Sequence, residues 1–291
     1  MKRSAVLSLP LAGLLARAAC ADAPLPVVAA EDMWGSIAAQ LGGARAAVTS
    51  IVTDPNADPH DYEATVATAR AFAQARYVIL NGAGYDAWAQ HLVAGDASRV
   101  QKVLTVADVV DRAPGANPHF WYDPAYVERV ADRIAEDLAR LDPPGAAYYR
   151  SRRAALRRAL EPYHARIRAI RAFAAGLPVG ATETVFVYLA AALGLRLISP
   201  PAFMEAINDG TEPPMDAVVA MMHQIAERRI RLLAYNVQTV TAVTTNLRRL
   251  AAEHGVPVVG ISETIVPPGA TFQRWQSAQL DEIRAALRRA A

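Results

Sequence analysis

The chain has 291 residues, of which 53% are hydrophobic and 20% are charged, and its formal net charge is +2. This composition excludes a disordered chain, and the length is sufficient for two lobes of ordinary domain size. The excess of positive charge comes from the first 21 residues, which contain Lys2, Arg3 and Arg17 but no acidic residue. The remainder is close to neutral, so charge gives no general reason for nucleic-acid binding.

Residues 1–21 have the pattern of a secretory signal peptide. Two basic residues precede an apolar run over 5–16, and small residues follow it, as such signals require. The run is shorter than the roughly 20 apolar residues that span a bilayer. We predict cleavage after Ala21 and a periplasmic location. The alternative is a lipoprotein anchored through Cys20, but Arg17 stands where lipoprotein signals usually carry leucine.

Cys20 is the only cysteine in the chain. After export the protein therefore has no cysteine, or a single lipidated one, and it has no disulfide framework. Any metal site in the mature chain must use nitrogen and oxygen ligands.

Short apolar strands alternate with helices in the first half of the chain. The predicted strands cover 27–30, 46–53, 77–80 and 103–106, and the predicted helices cover 34–41, 66–75 and 86–93. Thr65 is a suitable N-cap for the second helix. This alternation is typical of a parallel α/β sheet. Gly82 and Gly84 lack the third glycine of a dinucleotide fingerprint, and we interpret them as a tight strand-to-helix turn.

Two long helices are predicted next, over 125–141 and 146–174, separated by Asp142-Pro143-Pro144-Gly145. One face of the second helix has apolar residues at helical spacing: Leu156, Leu160, Tyr163, Ile167 and Ile170. Pro162 should kink this helix. Its other face carries eight arginines, which we interpret as a solvated face because the chain is nearly neutral overall: Arg150, Arg152, Arg153, Arg157, Arg158, Arg166, Arg168 and Arg171.

The second half repeats the α/β alternation. Strands are predicted over 179–181, 195–198, 232–235 and 256–261, and helices over 186–193, 215–227, 241–254 and 272–289. The predicted fold class is therefore α/β, with two lobes that each contain a mostly parallel sheet flanked by helices. We divide the chain into a signal peptide (1–21), an N-terminal lobe (22–145), a rigid linking helix (146–175) and a C-terminal lobe (176–291).

Four side chains are candidate metal ligands. His60 and His119 each follow a proline in a loop before a helical segment, and proline restricts the backbone there. Glu183 and Glu263 each follow a predicted strand of the second lobe, where ligands bind in open α/β sheets. Two neutral imidazoles and two carboxylates would neutralise one divalent cation. Taken singly, a loop histidine is more often a surface or hydrogen-bonding residue than a metal ligand, and a lone glutamate is usually solvated.

The motifs around these residues resemble those of a known family. Asp58-Pro59-His60-Asp61-Tyr62-Glu63, Asn117-Pro118-His119-Phe120-Trp121 and Glu183-Thr184-Val185-Phe186-Val187-Tyr188-Leu189 are similar to signatures of the periplasmic metal-binding proteins of zinc and manganese ABC importers, the cluster A-I (ZnuA/TroA-like) family. The resemblance covers nearly the whole mature chain. It implies two lobes, a rigid helix and one metal held by His60, His119 and Glu183. Glu263 stands where the family usually has aspartate.

The resemblance also bears on which metal ion the site binds. Zinc-specific members often have a third histidine where this chain has Glu183, and many have a histidine-rich acidic loop that is missing here. Oxygen ligands favour harder cations such as Mn²⁺ or Fe²⁺, although Zn²⁺ outcompetes Mn²⁺ at most such sites and accepts carboxylates. We therefore favour Mn²⁺ only slightly over Zn²⁺.

The predicted function is capture of this ion and its delivery to an ABC permease in the cytoplasmic membrane, by a monomer that is not an enzyme. Two alternatives remain at this point. One is a metal-dependent hydrolase that uses a glutamate of the same site as general base. The other is a surface adhesin on the same scaffold, anchored by a lipid on Cys20.

Overall fold

The computed structural model describes residues 23–95 and 102–289. The predicted signal peptide and Cys20 lie outside these residues. The N-terminal lobe consists of β1 (Leu25–Glu31), α1 (Asp32–Gly42), β2 (Ala46–Val52), α2 (Val66–Gln74), β3 (Tyr77–Leu80), α3 (Ala87–Ala94), β4 (Lys102–Thr105), α4 (Val106–Val109) and α5 (Pro124–Leu141). Its strands form one parallel sheet in the order β2-β1-β3-β4. The chain therefore leaves every strand of this lobe at the same edge of the sheet.

Helix α6 (Ala146–Ala174) joins the two lobes and has the bounds predicted from the sequence. Its predicted apolar face is buried, and the helix continues through Pro162. The helix packs against α1 and α5 of the N-terminal lobe and against the C-terminal helix α11 (Phe272–Arg289). It therefore shares one hydrophobic core with both lobes.

The interpretation of the arginine face as wholly solvated is wrong for Arg153. Its side chain is only 8% exposed and its guanidinium bonds Glu128 and Asp132 of α5. A buried arginine requires such partners because an unpaired buried charge is costly. The periodicity of α6 places Arg153 beside the apolar stripe, so part of this face contacts α5.

The C-terminal lobe has the same architecture. It consists of β5 (Pro178–Ala181), α7 (Val187–Ala192), β6 (Arg196–Leu197), α8 (Pro201–Asn208), α9 (Met215–Ala226), β7 (Leu233–Asn236), α10 (Ala242–Glu253), β8 (Val258–Ile261) and α11. The strands form a second parallel sheet in the order β6-β5-β7-β8. Strand β7 therefore lies between β5 and β8, the two strands that precede Glu183 and Glu263.

The predicted fold class is confirmed. All eight predicted strands are present, with bounds that differ from the predictions by at most two residues at each end. Thr65 is the N-cap of α2, since its side chain accepts a hydrogen bond from the Thr68 amide.

The sequence patterns do not predict α8, because Pro200-Pro201 looks like a helix breaker. Pro201 occupies the first turn, where proline is well tolerated.

Direct hydrogen bonds join the lobes across their cleft. The Asn117 side chain donates to the Thr184 carbonyl (2.9 Å), and the Gln238 side chain donates to the Ala57 carbonyl (2.8 Å). The Ile265 amide donates to the Asp32 carboxylate (2.9 Å).

Within the described residues, no helix combines the length and apolar character needed to cross a membrane.

Candidate metal centre

His60 is presented by a short 3-10 turn, Pro59–Asp61, in the loop after β2. The Asp58 carboxylate caps this turn by accepting a hydrogen bond from the His60 amide (3.0 Å). The His60 side chain is 25% exposed, so it stands on the solvent side of the candidate site.

His119 lies deeper and is fully buried. The Asn117 side-chain oxygen accepts from the His119 amide (3.1 Å) and lies 2.7 Å from ring Nδ1. An amide oxygen can only accept, so Nδ1 carries the proton and Nε2 keeps its free lone pair. This is the usual way in which a neighbouring group selects the metal-binding tautomer of histidine.

Glu183 and Glu263 approach from the C-terminal lobe, and both carboxylates are fully buried. His119 Nε2 lies 3.2 Å from Glu263 Oε2 and 3.7 Å from Glu183 Oε1. His60 Nε2 lies 3.5 Å from Glu263 Oε2. Glu183 Oε1 has no hydrogen-bond partner among the described residues, which is unusual for a buried carboxylate oxygen.

The structure thus brings all four predicted side chains together, with one donor atom of each within 4.8 Å of the others. A tetrahedral Zn²⁺ site with bonds of 2.0–2.1 Å separates its ligand atoms by roughly 3.3 Å. The observed separations bracket this value. The donor set therefore fits one divalent transition-metal ion with two ligands from each lobe.

The clustering perturbs the protonation of these groups. Burial, together with the Glu263 carboxylate, raises the pKa of Glu183 to about 8. Burial would also raise the pKa of Glu263, but the His119 and His60 imidazoles outweigh it and lower that pKa.

The two histidines shift in opposite directions. Burial would lower the pKa of His60, but the Glu263 carboxylate raises it to about 9. Burial dominates at His119 and lowers its pKa. His119 is therefore neutral at pH 7, whereas Glu183 and His60 hold protons that a metal ion binding there would have to displace.

Two further side chains contact the carboxylates and were not among the predicted site residues. Tyr85 donates its hydroxyl to Glu263 Oε2 (2.8 Å), and Asn236 donates its side-chain amide to both Glu183 and Glu263. Asn236 is the last residue of β7, and Tyr85 lies in the loop that follows β3. Such positions point to the site only once the order of the strands is known, so local sequence patterns do not single them out.

The cleft between the lobes leads to this cluster. Its cavity has a volume of about 1060 Å³ and is lined from both lobes, by residues that include His60, Tyr85, Asn117 and Thr184. Behind His119, the side chains of Phe120, Trp121 and Phe186 are fully buried. The cluster is therefore open to solvent on the His60 side and dry on the other.

Comparison with known proteins agrees with this architecture. The family model for ZnuA, the periplasmic component A of the zinc-uptake complex, matches residues 27–286. The manganese-binding lipoprotein MntA of Halalkalibacterium halodurans is 31% identical over 130 residues, which cover 43% of this chain and 42% of MntA. This match spans less than half of the relative's length.

Two solved structures share the fold. The periplasmic zinc binding protein TroA from Treponema pallidum superposes with a TM-score of 0.77 at 19% identity, covering 91% of this chain and 99% of TroA. The solute-binding protein FpvC from Pseudomonas aeruginosa, in complex with Mn²⁺, gives 0.75 at 19% identity, covering 92% and 100%. Since the family model spans most of the chain, the protein belongs to the ZnuA family of periplasmic metal-uptake components.

Proposed function

We propose that this protein captures one divalent transition-metal ion in the cleft between its lobes and delivers it to an ABC permease. The convergence of His60, His119, Glu183 and Glu263 carries this proposal. Two neutral imidazoles and two carboxylates cancel the charge of the ion, which lowers the free-energy cost of burying it. The periplasmic family to which the chain belongs supports the same role.

Capture and release follow from the division of ligands between the lobes. The ion enters from the His60 side, displaces the protons on His60 and Glu183, and links the lobes. Release then requires the permease to separate one pair of ligands from the other. A small displacement is sufficient, because metal–ligand bonds tolerate deviations of only about 0.2 Å.

We propose a binding protein rather than an enzyme. Catalytic zinc usually has three protein ligands and keeps one position open for water. Here four side chains converge, which is enough to fill a tetrahedral shell around one ion without a water ligand. Hydrolytic turnover abolished by a chelator would contradict this proposal.

The cargo is a first-row divalent ion, and two chemical trends act in opposite directions. The oxygen content of the site favours Mn²⁺ or Fe²⁺ slightly, whereas the general order of stabilities favours Zn²⁺ over Mn²⁺. The relatives include proteins for both metals, since MntA is described as manganese-binding and TroA as zinc binding.

We further propose that the mature protein acts as a monomer outside the cytoplasmic membrane, released by cleavage after Ala21 rather than anchored through Cys20. Mass spectrometry of the mature N-terminus distinguishes a free Asp22 from an acylated Cys20.

The experiment that tests the function compares His60→Ala with His223→Ala by calorimetry and metal competition. His60 is a proposed ligand, and its partial exposure allows the protein to fold without it. His223 is exposed on α9 and is not among the four clustered donors. We expect His60→Ala to lower metal affinity at least about 100-fold, as loss of a direct ligand exceeds the 10–100-fold cost of losing a supporting contact. His223→Ala should bind as wild type, and equal affinities for both variants would refute the site.

A further inference from the structure

Asn236 occupies a position that the topology places between the two carboxylates. It is the last residue of β7, and β7 lies between β5 and β8. Ala234 pairs with Ala181, so Asn236 is level with Glu183, two residues beyond the end of β5. On the other side Asn236 pairs with Ile261, two residues before Glu263. The Asn236 side chain is buried.

Hydrogen bonds fix the orientation of this amide. Asn236 Oδ1 accepts from the Gln238 backbone amide (2.9 Å). Because a backbone N–H can only donate, the oxygen must face Gln238 and the nitrogen must face the carboxylates. Nδ2 lies 2.5 Å from Glu183 Oε2 and 2.5 Å from Glu263 Oε1. We call this arrangement the carboxylate bridge.

The carboxylate bridge divides the four carboxylate oxygens into two pairs. The outer oxygens, Glu183 Oε2 and Glu263 Oε1, accept from Asn236. The inner oxygens, Glu183 Oε1 and Glu263 Oε2, lie 3.7 Å and 3.2 Å from His119 Nε2. Each glutamate therefore presents one oxygen to the imidazoles while Asn236 holds the other, and the inner oxygen of Glu263 also accepts from the Tyr85 hydroxyl (2.8 Å). Bidentate binding would require an outer oxygen to turn towards the ion and away from its buried N–H donor, which is unfavourable.

This restriction bears on which ion the site prefers. Zn²⁺ is satisfied by four nitrogen and oxygen ligands in a tetrahedron. Mn²⁺ favours a six-coordinate shell that is rich in oxygen. With both glutamates held monodentate, the protein supplies only four ligands, and a larger shell would need water from the exposed His60 side.

We infer that Asn236 is a positioning residue that holds both glutamates monodentate and thereby shifts the preference of the site from Mn²⁺ towards Zn²⁺. This inference rests on the proposed function and names the ion that the site selects. It opposes the preference for Mn²⁺ that follows from oxygen content alone.

The test uses Asn236→Ala in the full-length protein, with Thr239→Val as the matched control. Thr239 lies in the same loop and its hydroxyl contacts both Asn236 and Asp58, but its loss leaves the carboxylate bridge intact. Zn²⁺ and Mn²⁺ affinities are measured by competition with a chelator. The visible absorption of bound Co²⁺, which is intense only for four-coordinate cobalt, reports the coordination number.

We expect wild type and Thr239→Val to give intense Co²⁺ bands. Asn236→Ala should weaken these bands and reduce the Zn²⁺/Mn²⁺ affinity ratio about tenfold, within the range seen for supporting contacts of metal ligands. If Asn236→Ala fails to fold, Asn236→Ser replaces it, because one short hydroxyl cannot bridge both carboxylates.

Two results would overturn the inference while leaving the proposed function intact. One is weak Co²⁺ absorption in the wild type. The other is an equal loss of Zn²⁺ and Mn²⁺ affinity in Asn236→Ala with unchanged Co²⁺ bands, which would mark Asn236 as merely structural. Failure of the wild type to bind Zn²⁺, Mn²⁺ or Co²⁺ would instead refute the proposed function itself.

Discussion

At the scale of single residues, His119 depends on Asn117 for its tautomer. Replacing Asn117 by alanine removes the acceptor that holds the Nδ1 proton, and we expect metal affinity to fall about 10–100-fold. Asn117→Asp keeps an acceptor at the same place but loses the amide bond to Thr184. Competition titrations should therefore show near-normal affinity for Asn117→Asp. Equal losses in the two variants would mean that the contact with Thr184, rather than the tautomer, matters.

The protonation of Glu183 and His60 predicts how the metal-free protein responds to pH. Their pKa values in the folded state are raised to about 8 and about 9, whereas unfolded glutamate and histidine titrate near 4.3 and 6.5. Between pH 7 and 9 the folded protein therefore binds more protons than the unfolded chain. Under that condition the free energy of unfolding decreases as pH rises.

Denaturant unfolding of the chelator-treated protein at pH 7, 8 and 9 measures this slope. We expect stability to fall across the series, and Glu183→Gln to show a shallower fall because one titrating group with a raised pKa is gone. Metal affinity should rise over the same interval, since fewer protons must be displaced. A stability that is constant or increases from pH 7 to 9 would contradict the assigned protonation.

At the scale of elements, the pairing of α5 with α6 depends on buried charge. Arg153 of α6 bonds Glu128 and Asp132 of α5, and contacts from His164 and Arg153 lower the pKa of Glu128 to about 2. Arg153→Met leaves both carboxylates without this partner, and we expect a loss of about 1–3 kcal/mol in unfolding free energy. Chemical denaturation of the wild type and the variant measures this loss.

Arg150→Met provides the matched control for that experiment, because Arg150 lies on the same helix but is exposed. Its replacement should change stability by less than about 0.5 kcal/mol. Metal affinity should stay at the wild-type value in both variants, since neither residue contacts the four donors. Altered metal binding in Arg153→Met would show that the α5–α6 contact also positions the site.

The elements also show what the sequence can predict. Alternating apolar strands and helices predict the fold, because each strand of a parallel sheet is buried on both faces and reads as a short apolar run. The same logic places Glu183 and Glu263 at strand ends. It does not identify Asn236, because a polar residue after a strand becomes informative only when strand order is known. Strand order depends on packing between distant segments, which local patterns do not encode.

At the scale of the molecule, the site lies where two lobes meet around a shared core. Helix α6 contributes buried residues to that core, and α11 returns from the C-terminal lobe to pack against it. The hydrogen bonds from Asn117, Gln238 and Ile265 join the lobes directly. These contacts would have to break in a wide hinge opening, so we expect metal binding to produce only a slight tilt of the lobes.

Distances between spin labels test this expectation. Labels at Arg70→Cys in α2 and Glu227→Cys beyond α9 report on opposite lobes, and both positions are exposed; Cys20 is replaced by serine. We expect metal to shift the distance between them by no more than about 2 Å, the scale of sliding between packed elements. Arg70→Cys with Gln90→Cys, both exposed in the N-terminal lobe, should show no change. A shift of many ångströms between the lobes would mean that the interface opens. Helix α6 would then bend as a hinge instead of holding the lobes in a fixed arrangement.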